Sequence, residues 1–210
     1  MKRRFRTFGR RSALASVTAA VAVTASLLTA APASAATIKV TYPVSGTTTV
    51  KKTGSSLELG PGTLAATVTT KTGGGDVVGT LNLPPAHAEF TVAGLIPVKA
   101  KVTVIPTGPA TGEIKQGVLT SHAEAYMQLS DIWVGGIFPI PVGDECRTEQ
   151  PIALDLKSEG SFTVFAGGTV AGTFTIPDFK NCTIFAPILN PLISGPDNTI
   201  KLTLGKPTQP

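Results

Sequence analysis

The chain has 210 residues, is 42% hydrophobic and 15% charged, and carries a formal net charge of +5. That balance excludes a charge-driven disordered chain, and two cysteines are too few for a cysteine-rich scaffold or a four-cysteine zinc site. The basic excess is local: residues 1–35 hold Lys2, Arg3, Arg4, Arg6, Arg10 and Arg11 and no acid, which leaves 12 Lys+Arg against 13 Asp+Glu, a net of −1, in the remainder.

The chain begins with a basic segment over residues 1–11. An uncharged stretch rich in Ala, Val, Leu and Thr follows from Ala13 to Leu28, then the small-residue motif Ala33-Ser34-Ala35. This pattern predicts a signal peptide over 1–35, cleaved before Ala36, and a single secreted domain over 36–210. The apolar stretch falls short of the ~20 strongly apolar residues of a spanning helix. Arg10-Arg11 partly resembles a twin-arginine signal but lacks the following aromatic, so ordinary secretion is favoured. No later apolar run is long enough to span, so the expected mature protein has no transmembrane segment. It is extracellular or loosely associated with the cell envelope.

From Ala36 onward the dominant period is two. Ile38, Val40 and Tyr42 alternate with Thr37, Lys39 and Thr41. Weaker strands are predicted at Thr63–Thr70, Val77–Asn82 and His87–Val92. Val98, Ala100, Val102 and Val104 alternate with Lys99, Lys101 and Thr103. Gly117–Leu129 is read as a strand in spite of the helix-favouring Ala and Glu residues of Ser121–Gln128. Ile152, Leu154 and Leu156 alternate with Ala153, Asp155 and Lys157; a short strand follows at Phe162–Phe165; then Val170, Gly172, Phe174 and Ile176 oppose Thr169, Ala171, Thr173 and Thr175. Thr183–Ser194 has room for one or two helical turns, limited by Pro187 and Pro191. Ile200, Leu202 and Leu204 close the series against Thr199, Lys201 and Thr203. Turn residues such as Gly60-Pro61-Gly62, Gly73-Gly74-Gly75-Asp76 and Pro84-Pro85 separate the strands. About ten short strands with wet polar faces predict an all-β antiparallel sandwich, Ig-like or jelly-roll-like, with one disulfide and little helix.

Cys146 and Cys182 are the only cysteines, and in an exported chain they are expected to pair, closing a 37-residue loop. Nothing else in the chain has the spacing of a known chemistry. His87 and His122 lie 35 residues apart with no metal-binding motif, and G-x-S-x-G, P-loop and dinucleotide fingerprints are absent. Asp144, Glu145 and Glu149 beside Cys146 are the carboxylate cluster to weigh for hydrolysis, and a solvated loop where a Gly143 turn meets the bridge is the favoured reading. No catalytic residue, metal or cofactor is therefore assigned. A nearly neutral mature surface without a basic stripe does not suit nucleic acid.

Two apolar, Pro-bearing segments break the alternation. The first contributes Ile132, Trp133, Ile137, Phe138 and Ile140, the second Phe185, Ile188, Leu189 and Leu192. One reading makes them a buried connection that caps one end of the fold. The other makes them an apolar patch for a lipid, an envelope component or another protein. The signal peptide, the run Gly94-Leu95-Ile96-Pro97-Val98-Lys99-Ala100-Lys101-Val102, the Cys146-Arg147-Thr148 region and Thr175-Ile176-Pro177-Asp178-Phe179-Lys180-Asn181-Cys182 resemble uncharacterised secreted β-rich proteins of high-GC Gram-positive (actinobacterial) type. That resemblance implies origin and secretion and transfers no site residue. The expected function is that of a non-catalytic secreted or envelope-associated protein acting through its surface. The alternative is a carrier of an apolar or lipid ligand, and an unrecognised hydrolase comes third.

Overall fold

Strands form where β-branched or aromatic residues alternate with Thr and Lys. This alternation carries the chain through thirteen of them in residues 35–92 and 94–209, the part described by the computed structural model. They are β1 (Thr37–Val50), β2 (Ser55–Lys71), β3 (Gly74–Asn82), β4 (Ala86–Val92), β5 (Ile96–Pro106), β6 (Ala110–Lys115), β7 (Val118–Val134), β8 (Phe138–Ile140), β9 (Arg147–Thr148), β10 (Ile152–Thr163), β11 (Gly167–Ile176), β12 (Phe179–Lys180) and β13 (Gly195–Leu204), with one helix, α1 (Ala186–Ile193), before the last. The predicted signal peptide lies, but for Ala35, outside the described residues.

The pairing order is β10-β11-β13-β1-β2-β3-β6-β7, and β7 pairs in turn with β10, so eight antiparallel strands close into a barrel. The remaining strands extend this wall at one end. β5 continues the line of β6 along the same edge of β7: Thr111 faces His122, and Pro106 faces Ala125. β4 continues the line of β3 and pairs with β5. The chain therefore runs up and down, each stave beside the one before it, and closes first to last.

The all-β antiparallel class, the slight helix and the disulfide agree with the sequence reading; the sandwich does not. A sandwich needs two sheets with separate edges. Here β1, β2 and β7 are 14, 17 and 17 residues long, long enough to bend through a full stave. The edges of β7 and β10 meet from Ile152 opposite Ala125 to Lys157 opposite Thr120. The bend is visible at Gly60-Pro61-Gly62, expected as a turn. It lies inside β2, facing a register shift between Val44 and Gly46 in β1. Glycine is required there: Gly60 has φ +93°, and a Cβ on Gly62 would overlap the carbonyl of Asn82. The predicted Phe162–Phe165 strand ends at Thr163, with Phe165 exposed in the following turn.

The staves turn Val40, Tyr42, Val68, Val102, Val170 and Leu202 inward and Thr, Lys, Asp and Glu outward. Apolar inside and polar outside is the reverse of a bilayer-spanning barrel. At the end holding the β6–β7 and β10–β11 turns, the interior is filled. Tyr42 packs against Phe162 with ring centroids 6.1 Å apart and donates its hydroxyl proton to the Val164 carbonyl at 2.8 Å. Burial pushes its pKa up to about 12.

Candidate functional site

The opposite end is closed by α1. Pro187 falls in its first turn, where a missing N–H costs nothing, and Pro191 lies inside it, which keeps the helix to eight residues. Four anchors hold it. Cys146 and Cys182 are bonded, and β12 pairs with β9, Phe179 opposite Thr148. The Asn190 side chain clasps the Phe179 backbone, accepting from its N–H at 2.8 Å and donating to its carbonyl at 3.3 Å. Lys52 Nζ, in the β1–β2 turn, donates to the Pro191 carbonyl at 3.2 Å.

Beneath the helix is a cavity of about 170 Å³. Leu189 and Ile193 of α1 form its roof, and no charged residue lines it. Its origin lies in side-chain size. An eight-stranded barrel has an interior that ordinary side chains just fill. Here Ala88, Ala100, Ala123, Ala125, Gly79 and Gly112 take inward positions, beside Leu154 and Leu156 of β10 and with Phe174, Ile200 and Leu202 farther round the barrel. The small residues leave the space. Three of the six lining hydroxyl residues are occupied by protein partners: Thr48 donates to the Thr199 carbonyl at 2.9 Å, and Thr53 and Ser55 bond each other at 2.6 Å. The wall is not hydrogen-bonded throughout. β2 pairs with β3 only from Thr63, so its first half runs beside β4 without ladder bonds between them.

The two apolar segments singled out in the sequence meet at this end and divide by role. Ile132 and Leu189 are buried and line the cavity. Ile140, Phe185 and Leu192 are partly buried against the core. Trp133, Ile137, Phe138 and Ile188 are 42%, 69%, 64% and 58% exposed. Leu95 and Ile96, at the neighbouring β4–β5 tip, are 85% and 46% exposed and join them. The cavity wall itself escaped the sequence reading. Its signal was available in the alanines at alternate inward positions, but an inward Ala satisfies the strand pattern as well as an inward Val does.

The polar candidates do not converge. Asp144, Glu145 and Glu149 are each exposed. His122 bonds Asp155 across the outer face of β7 and β10, Nδ1 to Oδ1 at 2.7 Å, and its Nε2 lies 4.0 Å from Glu124 Oε1. The bond to Asp155, helped by the fields of Asp155 and Glu124, raises the imidazole pKa above its ordinary 6.5. Among the described residues no group of three or more His, Cys, Asp or Glu side chains is placed to hold a metal, and no helix is long and apolar enough to cross a membrane. Comparison with protein-family models, curated proteins and solved structures finds no match to this chain.

Proposed function

We propose that this chain is a non-catalytic extracytoplasmic β-barrel that binds one small apolar molecule, or one end of a larger one, in its interior. The uncharged cavity beneath α1 carries the reading. At about 170 Å³ it is smaller than the roughly 300–1,000 Å³ of drug-sized pockets. It is close to the ~150 Å³ engineered hole that stays dry and admits benzene. That size selects a ligand of ring dimensions or a single chain terminus, and the lack of lining charge selects an apolar one. Location outside the cytoplasm is supported by the pairing of the two cysteines and by the signal-like pattern of residues 1–35. The domain is then 36–210, in line with the resemblance to secreted actinobacterial proteins.

The test is native mass spectrometry of the protein as its host accumulates it, together with thermal unfolding in the presence of toluene. The expected result is a co-purified apolar adduct, or a Tm that rises roughly 3–6 °C at ten times the Kd. Ala100→Leu with Ala125→Leu should abolish that rise by filling the cavity. No adduct and an unmoved Tm would sink the carrier reading.

A further inference from the structure

Of the nine large apolar side chains exposed among the described residues, seven gather at the helix end: Leu95, Ile96, Trp133, Ile137, Phe138, Ile184 and Ile188. Strand register makes them one crest. The β4–β5 and β7–β8 hairpin tips are adjacent, Val98 facing Val134, and Gly135 N donates to the Pro97 carbonyl at 2.8 Å. The loop before α1 joins on the far side, where Thr183 Oγ1 donates to the Pro141 carbonyl at 2.8 Å. The three segments that build the crest, 90–98, 132–143 and 183–196, contain no charged residue. The crest consists of protruding tips, not a groove or a flat face.

On the side of the β4–β5 and β7–β8 tips, charge returns behind the apolar residues. Lys99 lies four residues below Leu95, roughly 13 Å at ~3.3 Å per residue, and faces Trp133 across the β5–β7 ladder. Lys99 Nζ is held by Glu89 Oε1 at 2.7 Å. An uncharged tip, then an aromatic beside a lysine, matches the layering of a bilayer surface: acyl boundary first, headgroups behind. We propose that the helix end of the barrel is a bilayer-docking edge, with Leu95, Ile137 and Phe138 entering the acyl boundary and Trp133 and Lys99 at headgroup level. Lys99 is paired with Glu89, and exposed Lys51 and Lys52 of the β1–β2 turn and Asp144 and Glu145 after Gly143 bring both signs to the rim, so the apolar tips and not net charge drive the docking. This inference is independent of the cavity, though it places the roof of the cavity against the lipid.

Trp133 is the only tryptophan in the chain, so its emission reports this edge alone. The experiment adds phosphatidylcholine vesicles, with and without lipids brominated near the headgroup end of the acyl chain, to the protein as its host accumulates it. The expected result is a blue shift and bromine quenching that persist when salt is raised. Each of Leu95→Ser, Ile137→Ser and Phe138→Ser should weaken partitioning roughly tenfold. These side chains are exposed, so the variants keep the fold, which far-ultraviolet circular dichroism checks. The Ala100→Leu/Ala125→Leu variant should be quenched like the parent, which separates failure of this inference from failure of the carrier reading. Absence of quenching, quenching lost at high salt, equal quenching of the serine variants, or a blue shift that tracks protein concentration without lipid would each overturn it, the last in favour of a second copy of the chain.

Discussion

His122 shows how a side chain with no recognisable motif acquires a measurable property from its neighbours. Nothing near it in sequence marks it, but β7 and β10 place it directly opposite Asp155. The hydrogen bond to Asp155 favours the imidazolium, so the folded pKa lies above the unfolded value of 6.5. A raised pKa contributes stability that is complete below about 6.5 and is lost as pH rises through the folded value. His122→Gln should therefore lower the Tm at about pH 5 and leave it unchanged at about pH 9. Parallel melting curves at the two pH values check this; an equal loss at both would assign His122 a packing role instead. The same pair bears on catalysis. Both imidazole nitrogens face carboxylates, Asp155 and Glu124, so the ring is placed to carry charge on a wet strand surface, with Thr111 opposite it on the β6 side.

At the scale of elements, the helix end is held by few parts. β9 and β12 have two residues each and α1 has eight, all below the length at which a strand pair or helix persists alone. The disulfide between Cys146 and Cys182 ties them together, and closing a loop with a sequence separation of 36 is worth roughly 3–4 kcal/mol on chain-entropy grounds. Cys146→Ser with Cys182→Ser should cost about that much in denaturant unfolding. Amide exchange should accelerate first in α1, β9 and β12 and only later in β1, β2 and β13. Uniform acceleration along the chain would show that the bridge stabilises the barrel as a whole. Asn198 contributes from the barrel side. It is 1% exposed, accepts from Lys51 N at 3.0 Å and donates to the carbonyls of Phe174 and Gly195, fixing the β1–β2 turn that in turn holds Pro191.

For the whole molecule, the strand content was legible and the closure was not. Alternation such as Val98-Lys99-Ala100-Lys101-Val102 fixes which side of a strand faces inward, and the barrel interior uses those sides. Closure depends on which edges meet, β7 with β10 and β13 with β1, and no local pattern records that choice. Gly60-Pro61-Gly62 is a turn signal by composition, but its place opposite the β1 bulge makes it a bend within one long stave. The apolar segments were legible as exceptions, yet only register could assign Leu189 to the cavity and Phe138 to the crest. The cavity follows from the sum of side-chain volumes around a closed wall. Filling it should stabilise: Ala100→Leu with Ala125→Leu is expected to raise stability by ~1 kcal/mol in denaturant unfolding. A loss would mean that the surrounding side chains cannot make room and that the space is narrower at those two positions.

The pairing of β1 with β13 sets an order in time. Val44 lies opposite Leu204, 160 residues later, while every other stave pairs with the one made just before it. A chain that emerges from its N-terminus can build hairpin after hairpin, but β1 keeps one bare edge until the final strand arrives. The slow step of folding is then the meeting of the first strand with the last. Until that meeting the growing sheet has two open edges and an apolar face, the state in which it is most exposed to pairing with another copy of itself.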